Sequence, residues 1–199
     1  MLKEETVKKI EKIKEDLKEK LSEKRYNHSI SVMNKAIELA ELYDEDVDEA
    51  ALAGLAHDMA KEISFEDSLK IAKENGIEFD EIELNNHKLI HGKLGGFLAG
   101  NRYGLNERIQ KAICYHTETY FEMDNLAKIV FIADKIEDLR SDDEPGIKEE
   151  REMAKKGLDE CMLLIINGTI KRLIEKGRVI HPAELITRNY LLLKKKSEI

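Results

Sequence analysis

Apolar residues recur every three or four positions along almost the whole of this chain. No stretch alternates apolar and polar residues as a half-buried strand would. Only 2 Pro and 11 Gly interrupt the 199 residues, so the period runs in long segments. An all-α fold is the expectation. At about 150 residues per domain the length fits one domain over 1–199. A first helix over about 3–21 carries Val7, Ile10, Ile13, Leu17 and Leu21 on one face. A core follows over about 22–142, with helices predicted at 28–42, 50–60 (capped by Asp48), 64–75, 88–104, 106–115 and 124–140. Between them, 77–86 reads as a loop with a short helical turn. Pro145-Gly146 breaks the chain, and the C-terminal helices over about 146–196 resume at 147–156, at 158–176 and after His181-Pro182, a proline suited to a first helical position.

Lys+Arg 33 against Asp+Glu 41 leaves a net charge of -8. A general binder of nucleic acid or of a membrane surface needs a basic face, so neither is expected as a partner. The charged N-terminus lacks the apolar core of a signal peptide, and no apolar run approaches the ~20 residues of a spanning helix. A cytoplasmic location is the expectation. Cys114 and Cys161 lie in apolar helical surroundings and read as buried thiols rather than a disulfide framework.

The chemistry is carried by polar residues placed where helices should be apolar. From Ala50 to Ala60 the only polar residues are His57 and Asp58. A helix apolar all round is a buried one. A carboxylate buried without a partner costs several kcal/mol or is forced neutral, so this adjacent pair requires a compensating charge. A divalent cation supplies it, because neutral imidazole and carboxylate both suit a borderline metal. Lys128-Ile-Val-Phe-Ile-Ala-Asp134 poses the same problem, although Asp134 taken alone could pair with Lys135 or Arg140. His28 among Ile30, Val32 and Met33 poses it more weakly. Taken one at a time, each histidine also reads as an ordinary surface or core residue. As a set they offer two imidazoles and two carboxylates, a donor set for Fe, Mn or Co more than for an all-oxygen Mg site.

His28, His57-Asp58 and Asp134 in this order resemble the H…HD…D signature of the HD-domain phosphohydrolases. Finer segments resemble the YqeK family of symmetrical bis(5'-nucleosyl)-tetraphosphatases: Arg25-Tyr-Asn-His28, Gly54-Leu-Ala-His-Asp-Met-Ala-Lys61, Leu89-Ile-His-Gly92, Ala112-Ile-Cys-Tyr-His-Thr117 and Ala133-Asp-Lys-Ile-Glu-Asp-Leu-Arg140. The likeness spans roughly residues 20–190. Thr119, Glu137-Asp138 and Lys93-Leu94 depart from the family's usual residues. The resemblance implies a single HD-domain helical bundle that cuts diadenosine tetraphosphate into two ADP. It implies a divalent metal, iron by preference, on His28, His57, Asp58 and Asp134. Asp58, His91 and His116 are the implied catalytic residues. The nucleotide is expected on Arg25, His28, Asp58, His91, His116, Thr117, Asp134 and Arg140. Another HD nucleotidase or nucleoside-triphosphate hydrolase, or a non-catalytic nucleotide sensor, would share this metal set. A homodimer is compatible with the sequence. His87 and His91, four residues apart, share a helix face as in a two-histidine zinc site. No Glu follows His87, and it reads as a surface residue. A second ion on His91 and His116 stays open, and His181 receives no role.

Overall fold

Helices account for the regular structure throughout residues 2–197, which this computed structural model describes, and among the described residues there is no strand. They are α1 (Glu4–Lys20), α2 (Glu23–Leu42), α3 (Val47–Ala56), α4 (Phe65–Asn75), α5 (Glu81–Asn85), α6 (His87–Tyr103), α7 (Glu107–Cys114), α8 (Asn125–Ile136), α9 (Ile147–Ala154), α10 (Leu158–Glu175) and α11 (Pro182–Ser197). The expected all-α architecture is the one observed. No helix among the described residues is long and apolar enough to cross a membrane.

α2, α3, α7 and α8 form the centre, and α1 covers α3 with Ile10, Ile13 and Leu17 buried. Val7, expected on that inner face, is exposed; Thr6 takes the buried place one position earlier. α2 and α3 cross most closely at Gly54. A Cβ built there would stand 3.0 Å from both Ala36 Cβ and Met33 Cα. α10 packs on α8 and also holds α9 and α11.

Several boundaries differ from the sequence reading, each for a local reason. α2 begins at Glu23, a turn and a half before His28, so Arg25 and His28 lie on one continuous helix. Asp46 caps α3 by accepting from the Asp48 and Glu49 amides, while Asp48 itself accepts from the Lys3 amide. α3 ends at Ala56 and not at residue 60, because His57 to Glu62 turn away from the helix path. α8 ends at Ile136 and not near 140. The turn that follows is clamped by Arg151, whose guanidinium donates to the carbonyls of Ile136 (3.0 Å), Glu137 (2.7 Å) and Arg140 (3.1 Å). Cys161 is buried as expected, but Cys114 is only half-buried.

The Gly54 crossing yields a prediction for stability. Gly54→Ala puts a methyl against backbone and Ala36, so it should destabilise the protein by about 1–3 kcal/mol, the usual cost of overpacking. A thermal melt at wild-type Tm would show that the two helices part there at no cost.

Candidate functional site

Helix ends converge on one buried polar centre. His57 and Asp58 follow the C-terminus of α3, His116 follows that of α7, Asp134 is in the last turn of α8, His91 is in the first turns of α6 and His28 is on α2. All six are buried. His87 does not join them: it is exposed, with its ring edge-on to Phe65. His181 lies elsewhere, bonded to Asp80 at 2.7 Å.

Three of the imidazoles are fixed by one device. The Nδ1–H of His57 donates to Gly54 O at 2.8 Å, that of His91 to Lys88 O at 2.8 Å and that of His116 to Ile113 O at 2.5 Å. Each acceptor is the carbonyl three residues back. For His57 and His116 it belongs to a last helical turn, where carbonyls lack partners within the helix. The ring therefore caps the helix, and the same bond turns its Nε2 toward the centre. His57 Nε2 is buried with no hydrogen-bond partner. Its nearest carboxylate oxygens are Asp58 Oδ2 at 3.7 Å and Asp134 Oδ1 at 3.8 Å. A buried lone pair aimed between two carboxylates is the environment of a cation ligand, so the residues fit a divalent metal. Donor atoms lie within 4.8 Å of one another in three trios: His28/His57/Asp58, His57/His116/Asp134 and Asp58/His91/His116.

His28 is held differently. Its Nε2 faces Asp134 Oδ1 at 3.0 Å and its Nδ1 faces Glu137 Oε1 at 3.1 Å. Burial opposes its charge, but the bonds to Asp134 and Glu137 outweigh that and raise it to about 9. Burial governs His57 and His91, which fall to about 4 and about 3. Burial would also raise Asp58 and Asp134, yet both stay well below the usual carboxylate range. The neighbouring His57, His116 and His91 imidazoles hold Asp58 down; the Lys135 ammonium and His28 do the same for Asp134.

A second ring of charge surrounds the first. Arg25 Nη1 bonds Asp58 Oδ2 at 3.0 Å, and Lys61 Nζ lies 3.7 Å from Asp58 Oδ1 and 3.0 Å from His91 Nε2. On the other side Lys135 Nζ bonds Asp134 Oδ2 at 2.6 Å. Arg140 Nε donates to Asp134 O at 3.0 Å, and its Nη2 stands 3.8 Å from Asp134 Oδ1. Asp134 is therefore the partner of Lys135 as well as a member of the buried cluster. His91 Nε2 lies 3.0 Å from both Asp58 Oδ1 and His116 Nε2. Thr117 donates its hydroxyl to Leu89 O at 3.2 Å, against Gly92.

A model of the HD domain matches residues 25–139, from Arg25 through the second carboxylate and past it. The chain belongs to the HD-domain family. Symmetrical bis(5'-nucleosyl)-tetraphosphatases are similar along most of it. The one from Staphylococcus aureus (strain NCTC 8325 / PS 47) is 36% identical over 91% of this chain and 93% of its own. The one from Bacillus subtilis (strain 168) is 33% identical over 88% and 94%. A solved structure from Clostridium acetobutylicum, described as a predicted HD superfamily hydrolase involved in NAD metabolism, superposes with a TM-score of 0.89. Its identity is 38%, covering 92% of this chain and 97% of that one.

The sequence reading of this HD-domain centre gave Lys61 and Glu137 no role and named Lys135 only as an alternative partner of Asp134, which it is. Lys61 and Lys135 stand in the quoted segments beside the two acids, and a cation next to a buried carboxylate was the available signal. Glu137 follows Asp134 by three residues, the spacing that puts both acids toward His28. These groups give the metal-free protein a defined pH response. His28 rises from 6.5 to about 9, so its stabilisation is complete below about pH 6.5 and is lost as pH climbs through 9. His57 and His91 are depressed, so their burial costs stability as pH falls below 6.5. The Tm of chelator-treated protein should peak near pH 6.5 and decline toward pH 9, and His28→Gln should flatten the alkaline limb. A wild-type Tm constant between pH 6.5 and 9 would contradict the His28 pairing.

Proposed function

We propose that this HD-domain protein is a symmetrical bis(5'-nucleosyl)-tetraphosphatase, cutting diadenosine tetraphosphate into two ADP. The class of enzyme follows from relatives of that activity aligned along about nine-tenths of the chain. One observation of the chain itself carries the reading furthest. Four cations, Arg25 and Lys61 at Asp58 and Lys135 and Arg140 at Asp134, surround a buried imidazole–carboxylate centre on two sides.

His28, His57, Asp58 and Asp134 are the proposed metal ligands. Iron is the proposed ion, and Mn or Co suits the same donors. A divalent ion there supplies a water of lowered pKa and neutralises charge at phosphorus. The side chains do the rest. Glu137 keeps the Nδ1–H of His28 and so presents Nε2 inward. Arg25 and Arg140 hold phosphate oxygens with paired N–H donors, and Lys61 and Lys135 add point charges. These cations are neutralised by Asp58 and Asp134 in the metal-free chain and become available when those carboxylates are engaged elsewhere.

His91 and His116 are assigned to the leaving group, with Asp58 beside them. Both Nδ1–H groups are used on carbonyls, so the 3.0 Å contact between the Nε2 atoms requires one further proton. That proton is available to the oxygen of the departing ADP, and Asp58 orients the pair. Thr117, its proton taken by Leu89 O, offers lone pairs to a nucleotide hydroxyl.

Purified protein should convert diadenosine tetraphosphate to ADP as the sole nucleotide product, and His57→Ala or Asp58→Ala should lose both that activity and the bound metal. Chromatography of the products and elemental analysis of the three proteins check this together. AMP and ATP in equal amounts would place the cut one phosphate off centre. Full metal content in both variants would remove the pair from the ligand set.

A further inference from the structure

The mechanism leaves unused a cavity of about 110 Å³ on the far side of Lys135 and Arg140. Lys135, Arg140 and Arg172 line it together with Glu144, Glu150 and Ile147. Asp134 pairs with Lys135 and Arg140 from the side of the buried centre, so Arg172 is the cation that the cavity leaves without a carboxylate partner among the described residues. Burial raises the Glu150 carboxyl, while the charges of Arg172, Arg140 and Lys135, which line the same cavity, oppose that rise. Arg140 is anchored by Nε on Asp134 O. Its terminal nitrogens meet carboxylate oxygens only at 3.8 Å (Asp134) and 3.7 Å (Glu144), beyond hydrogen-bond reach. Arg172, exposed on α10, bonds the Thr169 hydroxyl at 3.2 Å and has no carboxylate within ion-pair distance among the described residues. Two guanidinium groups thus face one small cavity with donors to spare.

Size decides what fits. Pockets for drug-sized ligands run to about 300–1,000 Å³, so a nucleoside is excluded. A space worth three or four waters, at about 30 Å³ each, accepts a phosphate group. Guanidinium forks suit its oxygens.

We propose that this cavity is a second phosphate subsite, in which Arg172 and Arg140 grip a substrate phosphate lying beyond those at the buried centre. The proposal rests on the reading of the substrate as a dinucleoside tetraphosphate. It makes Arg172 the residue that reads polyphosphate length: a chain long enough to pass from the centre into the cavity gains its contact, and the tetraphosphate is the one expected to do so where a triphosphate does not.

The test compares kcat/KM for diadenosine tetraphosphate and diadenosine triphosphate in wild type and Arg172→Gln, with a thermal melt to show that the exposed substitution leaves the fold intact. The wild type should favour the tetraphosphate, and the variant should lose about tenfold of that preference, the value of one charged contact of about 1.4 kcal/mol. Calorimetric titration with inorganic tetrapolyphosphate should show a similar loss of affinity. A wild type that cuts the tetraphosphate while Arg172→Gln keeps the same preference and the same tetrapolyphosphate affinity overturns the subsite and leaves the activity standing. A wild type inert toward the tetraphosphate overturns the activity reading; the titration then decides the subsite alone, with equal affinities refuting it and a tenfold loss upholding it.

Discussion

Two carboxylates, Asp58 and Asp134, are held ionised inside the helical core, and the rest of the structure is arranged around that fact. Isolated, either would cost several kcal/mol or take up a proton. Neither does, because four imidazoles and four side-chain cations are gathered within a few ångströms of them. The gathering explains why so many helices stop at the same place. α3, α7 and α8 all end at the centre, and the backbone carbonyls freed at the first two ends are the ones that fix His57 and His116. Helix termination, tautomer choice and the direction of each Nε2 are one event seen at three levels.

The two rings of charge divide the labour. The inner imidazoles and carboxylates are rigidly placed and buried, which suits a resident ion. The outer cations are longer, half-buried side chains that reach the same carboxylates from the solvent side. Their present partners are the groups an ion would take over. Replacing one cation partner by another, without moving the helices, is how such a centre can couple ion binding to the recognition of an anionic substrate. Arg151, which pins the turn from Ile136 to Arg140, keeps Arg140 in register with Asp134 while contributing nothing to the centre directly.

Part of the inner ring was legible in the sequence because it violates the helical pattern, whereas His91 and His116 were reached through the family resemblance. His57-Asp58 inside an otherwise apolar run, and Asp134 at the end of five apolar residues, stand out against a period that predicts only burial. The outer ring conforms to that pattern: Arg25 and Arg140 were reached through the family resemblance and Lys135 as an alternative partner of Asp134, while Lys61 and Glu137 lie at a turn and a helix end, where charge is ordinary, and received no role. Helix limits failed for a related reason. Met59 and Ala60 are buried and apolar, so the pattern runs on past Ala56 although the helix does not. Val7 and Thr6 show the same weakness on α1, where hydropathy picked the apolar neighbour and packing chose the smaller polar one.

The central claim is that the orphaned Nε2 of His57, with His28, Asp58 and Asp134, is a divalent-metal site. Anomalous X-ray scattering from crystals of the purified protein, recorded at the iron and manganese edges, tests it most directly. One strong peak is expected within bonding distance of His57 Nε2 and both carboxylates, with the His28–Asp134 hydrogen bond replaced by two bonds to the ion. A clean map at that position in protein grown with these metals, with His28 still bonded to Asp134, would contradict it.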